Sequence, residues 1–335
     1  MAETLAQMIA QARVSQTILL SGPEGVGKAT LARRFAAALI GAPEKIEQDD
    51  LSLPANEAAI EEREKWTSEQ RADDPLLFSS HPDFVTFTPD GPLKQITIQQ
   101  MRLLRERAQL KPLKGSRRVF LIDRLDRANE QSANSLLKIL EEPPEHVVII
   151  ATVQNLYDTL PTIRSRSMVL QLCRLDASAM RAFAAARQLP ESELRIALAE
   201  GSPGVAARLE VETFRARRDL MLSALECGAS ITAFADWVQN SEGFSSRKSE
   251  KLEQHLKLGY SLLDDILRVA SGRTSTANRD VEERIGRIAS RVTFSWIERA
   301  TRILDELVQM VRRNIQKTSA LDALVTSLRE VAPAR

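Results

Sequence analysis

The chain has 335 residues, enough for two or three domains that each bury their own core. Its 46 Lys and Arg against 45 Asp and Glu give a net charge of +1, which excludes a global electrostatic drive toward nucleic acid and leaves only local patches. Two distant cysteines, Cys173 and Cys227, exclude a disulfide framework, and without a membrane-length apolar run or a signal-peptide pattern a cytoplasmic location is expected.

An amphipathic helix is expected over residues 2–13, then an apolar strand from Thr17 to Leu20 and a helix from Ala29 to Ile40. Between strand and helix lies Ser21-Gly22-Pro23-Glu24-Gly25-Val26-Gly27-Lys28, where Gly22, Gly27 and Lys28 keep the G-x-x-x-x-G-K spacing of a phosphate-binding loop. Glycines let successive backbone N–H groups converge on a phosphate, the helix N-terminus adds partial positive charge, and the lysine reaches the terminal phosphates. Gly22, Gly25, Gly27, Lys28 and Thr30 are the candidate nucleotide-binding residues of this stretch. A Ser or Thr hydroxyl normally follows the lysine and ligates Mg²⁺; here the residue is Ala29, and Thr30 comes one position late on a different side of the helix. ATP or ADP bound without hydrolysis is therefore expected, with Mg²⁺ weak or absent.

Residues 43–80 are acidic and broken by proline, with one short helix expected around Glu57–Gln70, and read as an insertion. A single strand is expected over His81–Phe87, with His81 and Asp83 in the turn entering it rather than in a catalytic pair. Ile96–Ile98 leads into a helix over Gln99–Leu110, whose Arg102 and Arg105 share a face. Val119–Ile122 suits a buried parallel strand, and Asp123 falls at its C-terminal edge, where open α/β sheets hold ligands. Many ATPases follow that aspartate with a glutamate that polarises water. Here Arg124 follows, and a cation cannot act as that base.

A helix over Glu130–Glu141 stops at Pro143-Pro144, and strands over Val147–Thr152 and Met168–Leu172 complete a parallel, doubly wound sheet. Beyond Leu175 only helices are expected: short ones at 177–188, 191–199 and 203–209, then longer ones at 212–227, 230–240, 246–271, 279–290, 293–315 and 318–330. Leu252, Leu256, Leu263 and Leu267 fall on one stripe and Ile303, Leu307 and Met310 on another, as in helices packed in a bundle.

Five stretches, Ser21–Lys28, Gln95–Met101, Arg117–Asp123, Asn134–Pro144 (NSLLKILEEPP) and Leu160–Ser167 (LPTIRSRS), together resemble the clamp-loader branch of the AAA+ ATPases. The resemblance covers residues 1–210 well and the rest only as a helical collar with a loose ending, Asn314 to Leu324. It implies an AAA+ P-loop α/β domain over 1–174, a small helical lid over 175–210 and an all-α collar for oligomerisation over 211–335. It also implies that Asp123 is the Walker B aspartate and Thr152 the polar sensor on a core strand. Ser165-Arg166-Ser167 takes the place of the family's Ser-Arg-Cys motif, which makes Arg166 an arginine finger acting in trans on ATP bound by a neighbour. Ala29, Arg124 and Gly204, the last standing where motor subunits carry a phosphate-sensing arginine, together resemble the delta-prime type rather than the gamma/tau motor.

The implied partners are the gamma/tau motor subunits and the delta subunit of the DNA polymerase III clamp loader, the sliding clamp, and primer-template DNA held by the complex, with no membrane. DNA would be contacted at phosphates without sequence preference, with Arg102, Arg105 and Lys138 as candidates. Relatives usually insert four zinc-binding cysteines after the P-loop helix; residues 41–80 have none, so no zinc is expected and the insertion must be held by packing or stay mobile. The alternative is a self-sufficient P-loop ATPase of another type, or a nucleotide kinase. The ATPase would need a water-polarising acid, and Glu141 and Glu142 sit at a helix end rather than beside Asp123.

Overall fold

The structure, a computed structural model, describes residues 2–245, 252–273, 278–311 and 317–332. Asn314 of the loose C-terminal motif, and the first residues of the helix expected from 246, lie outside them. The chain divides into two compact units, residues 1–189 with 199–207, and residues 190–198 with 208–335.

In the first unit, β1 (Thr17–Ser21), β2 (Leu77–His81), β3 (Phe84–Phe87), β4 (Arg118–Ile122), β5 (Val147–Val153) and β6 (Met168–Gln171) form one sheet in the order β2-β3-β4-β5-β1-β6. All pairings are parallel except the antiparallel β2–β3. Strands β1, β3, β4 and β5 are buried along their whole length, which is why they are mostly apolar. The helices of this unit are α1 (Ala2–Ala10), α2 (Lys28–Ile40), α3 (Pro43–Glu47), α4 (Pro54–Glu62), α5 (Ser68–Asp73), α6 (Ile98–Ala108), α7 (Glu130–Glu141), α8 (Pro161–Arg164) and α9 (Ala177–Ala186). Alternate side chains of each strand go to opposite faces. Leu19, Phe87, Phe120 and Ile149 pack with Leu104 and Leu136 of α6 and α7, while Ile18, Leu20, Leu121 and Ile150 pack with Leu5 and Phe35 of α1 and α2.

The strand expected over His81–Phe87 forms over Phe84–Phe87 after the expected turn, but an unexpected strand, β2, precedes that turn and makes the pair a hairpin. Asp83 sits in its turn, donates its N–H to His81 Nδ1, and accepts N–H groups from Leu113, Lys114 and Gly115 at 2.7, 2.7 and 3.2 Å. The insertion holds three short α-helices rather than one. Pro54 starts α4, and a capping box between Thr67 and Gln70 starts α5, so the run cannot continue through Trp66.

Buried arginines anchor this segment. Arg33 of α2, 2% exposed, pairs with Glu47 at 3.2 Å and with Asp50. Arg63 clasps Asp90 at 3.0 and 2.9 Å and lies over the Trp66 ring at 4.3 Å. Asp49 accepts Ser80 N–H and O–H at 3.0 and 2.6 Å. Packing and ion pairs thus hold the insertion, and among the described residues no cluster of His, Cys, Asp or Glu could hold a metal ion.

Of the next two helices, α10 (Ser192–Ala199) belongs to the second unit and α11 (Pro203–Arg208) to the first. The second unit then contains α12 (Val211–Gly228), α13 (Phe234–Ser245), α14 (Leu252–Ala270), α15 (Glu282–Arg291), α16 (Phe294–Val311) and α17 (Lys317–Val331). Its core joins Met221, Leu225, Leu256, Leu263, Ile288, Leu304 and Leu324 around Trp296, whose indole N–H reaches Gly228 O at 3.3 Å and Leu328 O at 3.1 Å. Ile303 and Leu307 face this core as expected. Met310 does not: it is 42% exposed, because the buried stripe of α16 ends at Leu307. No described helix is long and apolar enough to cross a membrane.

Candidate functional site

The loop between β1 and α2 is shaped by three glycines with positive φ, Gly22 at 150°, Gly25 at 75° and Gly27 at 99°. Gly27 caps α2 in the left-handed region, which an L side chain would resist, and so lets the helix begin at Lys28. Lys28 is 9% exposed, and its ammonium donates to Gly22 O at 2.6 Å and Pro23 O at 2.7 Å. Burial pushes its pKa down, opposed by Asp123, Asp126 and Glu24 and assisted by Arg124. Thr30 is exposed and belongs to a different surface of α2 from the buried Lys28.

The C-terminal edges of β4 and β5 bring Asp123 and Thr152 together. Thr152 is fully buried; its hydroxyl donates to Asp123 Oδ1 at 2.7 Å and accepts the Arg124 N–H at 2.8 Å. Burial pushes the Asp123 carboxyl up, against the lowering effects of the Thr152 hydrogen bond, Arg124 and Lys28. Arg124 has φ 57°, and its side-chain Nε is buried without a hydrogen-bond partner.

Gly204, at the start of α11, donates its N–H to Gly25 O at 2.8 Å, and a Cβ there would meet that oxygen at 2.9 Å. Only glycine lets this backbone approach the loop so closely. The same closeness leaves no room for a larger residue at 204 without a shift.

The glycines, the α2 N-terminus and Lys28 fit a phosphate. The residues fit a divalent cation poorly: Ala29 has no oxygen, Thr30 is exposed, and one Asp123 oxygen is already engaged by Thr152.

Arg166 lies just beyond α8, away in sequence from this loop. Its Nη1 donates to Thr162 O at 3.2 Å and its Nη2 to Glu141 Oε1 at 3.2 Å, with 38% of the side chain exposed. Arg164 of the same turn lies over the Tyr157 ring at 5.3 Å. Arg102 and Arg105 line a shallow depression on α6 with Glu106 and Gln109, and Lys138 is exposed on α7, a helix that packs against α6.

Two residues of this arrangement carry no local signal for the part they play. Glu141 reads as a helix-end acid, and Gln16, whose Nε2 donates to Pro143 O and Pro144 O at 3.2 and 2.8 Å, reads as a loop residue before β1.

The family model described as "DNA polymerase III, delta subunit" matches residues 1–176. The chain is 33% identical over 221 residues to DNA polymerase III subunit delta' of Pseudomonas aeruginosa, a match covering 63% of this chain and 61% of that one. It is 31% identical over 173 residues to the gamma/tau subunit of Mycobacterium tuberculosis, across 52% of this chain and 27% of the relative. The chain thus spans only part of each relative's length. Among solved structures, a DNA polymerase III gamma subunit-related protein of Thermotoga maritima aligns over 98% of this chain and 99% of its own, with a TM-score of 0.47 and 18% identity.

Proposed function

The chain belongs to the DNA polymerase III delta-subunit family, and from that membership we propose that it is a non-motor, delta-prime-type subunit of the clamp loader. In this reading it stands in a ring beside gamma/tau motor subunits and a delta subunit. It helps place the sliding clamp on primed DNA, and it presents Arg166 to ATP held by a neighbour.

The observation that carries the reading is the contrast between two places in the α/β unit. At the P-loop, Ala29 offers no metal ligand, Arg124 replaces a base, and the Thr152 hydroxyl is engaged by Asp123. Such a cradle suits ATP or ADP bound without turnover. At the turn after α8, a partly exposed guanidinium is held by two oxygens. A guanidinium brought to a γ-phosphate stabilises the charge of the transition state, and it can come from another chain.

The division into an AAA+ module over 1–174, a lid over 175–210 and a collar over 211–335 belongs to the same proposal, as do phosphate contacts from Arg102, Arg105 and Lys138 to primer-template DNA and a cytoplasmic setting. Gly22, Gly25, Gly27 and Lys28 are assigned to the nucleotide, with Asp123 and Thr152 at its far edge.

The test is DNA- and clamp-stimulated ATP hydrolysis by the reconstituted complex, with this chain wild type or Arg166→Ala. Hydrolysis at the affected site should fall by about 10³-fold or more while the complex still assembles. An unchanged rate, together with ATP hydrolysis by the purified chain alone, would instead identify a self-sufficient ATPase.

A further inference from the structure

Building on the reading of Arg166 as a residue that acts on a neighbour's ATP, we propose that Glu141 is its positioning residue, fixing the guanidinium before the neighbour arrives. An arginine at a surface turn samples many rotamers, and ordering it on assembly opposes the reaction it serves. Here both terminal nitrogens are already held by different elements, Nη1 by Thr162 O of α8 and Nη2 by Glu141 Oε1 of α7, each at 3.2 Å. Each of these nitrogens carries a second N–H. Those two and the Nε–H stay available to phosphate oxygens.

The backbone just after Glu141 is anchored. Glu141 is the last residue of α7, and the Pro143 and Pro144 carbonyls that follow accept the Gln16 amide at 3.2 and 2.8 Å. Pro144 O also accepts the Val147 N–H at 2.9 Å at the start of β5. The holder of Arg166 is thereby tied to the segment that leads into β1 and to the neighbouring strand. The other arginine of the turn, Arg164, has a holder of its own in the Tyr157 ring.

The ion pair is exposed, with 54% of the Glu141 side chain accessible, so it contributes orientation rather than stability. Removing Glu141 should therefore weaken the action of Arg166 without abolishing it, and the core is untouched by the change.

The experiment uses the full-length chain in the reconstituted complex with ATP, comparing Glu141→Ala, Glu141→Gln, Arg166→Ala and the Glu141→Ala/Arg166→Ala double variant. Glu141→Ala should lower kcat about three- to tenfold with KM unchanged. Glu141→Gln, which keeps an oxygen acceptor at the same place, should recover most of the rate. The double variant should be no slower than Arg166→Ala alone, because both changes act through one guanidinium. Glu141→Ala without effect on kcat, or an equal loss in the Arg166→Ala background, overturns the proposal while leaving the finger reading intact. An Arg166→Ala complex with unchanged kcat overturns both.

Discussion

Thr152 Oγ1 lies 2.7 Å from Asp123 Oδ1 and 2.8 Å from the Arg124 nitrogen, so one hydroxyl ties the end of β5 to the end of β4. Its single proton goes to the carboxylate. A nucleotide in the loop before α2 would meet a carboxylate and a hydroxyl that already partner each other.

Replacing Thr152 by Val keeps the branched shape in the strand and removes the hydrogen bond. The Asp123 oxygen would then be left without its donor at the buried sheet edge, at a cost of about 1–3 kcal/mol. Chemical denaturation of Thr152→Val should show that loss as a lower midpoint with an unchanged slope.

Arg33→Met should loosen the insertion rather than the sheet. The arginine is 2% exposed, whereas its partners Glu47 and Asp50 are 42% and 29% exposed, so the carboxylates left behind can rehydrate. The expected loss is about 2–3 kcal/mol, toward the low end for a broken buried pair. Limited proteolysis should find new cleavage within residues 43–80 before any elsewhere in the α/β unit.

Asp83 makes stability depend on pH at the acid end. Burial alone would raise its carboxyl, but the N–H groups of Leu113, Lys114 and Gly115 and the Arg118 guanidinium hold it below the ordinary carboxylate range. The unfolded chain then binds this proton at a pH where the folded chain does not. The contribution is fully present above the unfolded pKa of about 4 and is lost as pH falls through the depressed folded value. Asp83→Asn should lower Tm at neutral pH and flatten the fall of Tm below about pH 5 relative to wild type.

Much of the first unit is legible in the chain itself. Apolar runs over Thr17–Leu20, Val119–Ile122 and Val147–Thr152 mark parallel strands, and the Pro143-Pro144 stop marks the end of α7. The turn at His81–Asp83 is legible, but the strand before it is not, because β2 is an edge strand, partly exposed, whose Leu77–His81 sequence carries no apolar run. The three helices of the insertion read as one because their polar, weakly periodic sequence gives little hydrophobic signal, and only capping at Pro54 and Thr67 separates them. Met310 departs for the opposite reason: its spacing continues a stripe that burial ends at Leu307.

What the sequence by itself determined is local. The spacing of Gly22, Gly27 and Lys28, the missing hydroxyl at Ala29 and the cation at Arg124 all lie within a few residues of the feature they define. The tertiary structure alone decided the partners: the Lys28 ammonium on its own loop, Gly204 against Gly25, Arg33 gripping the insertion, and Arg166 on Glu141. Most of those contacts join residues far apart in the chain, and the strand order and helix packing bring them together. Hydrophobic periodicity specifies which face of an element is buried, and says nothing about which polar group waits on the other side.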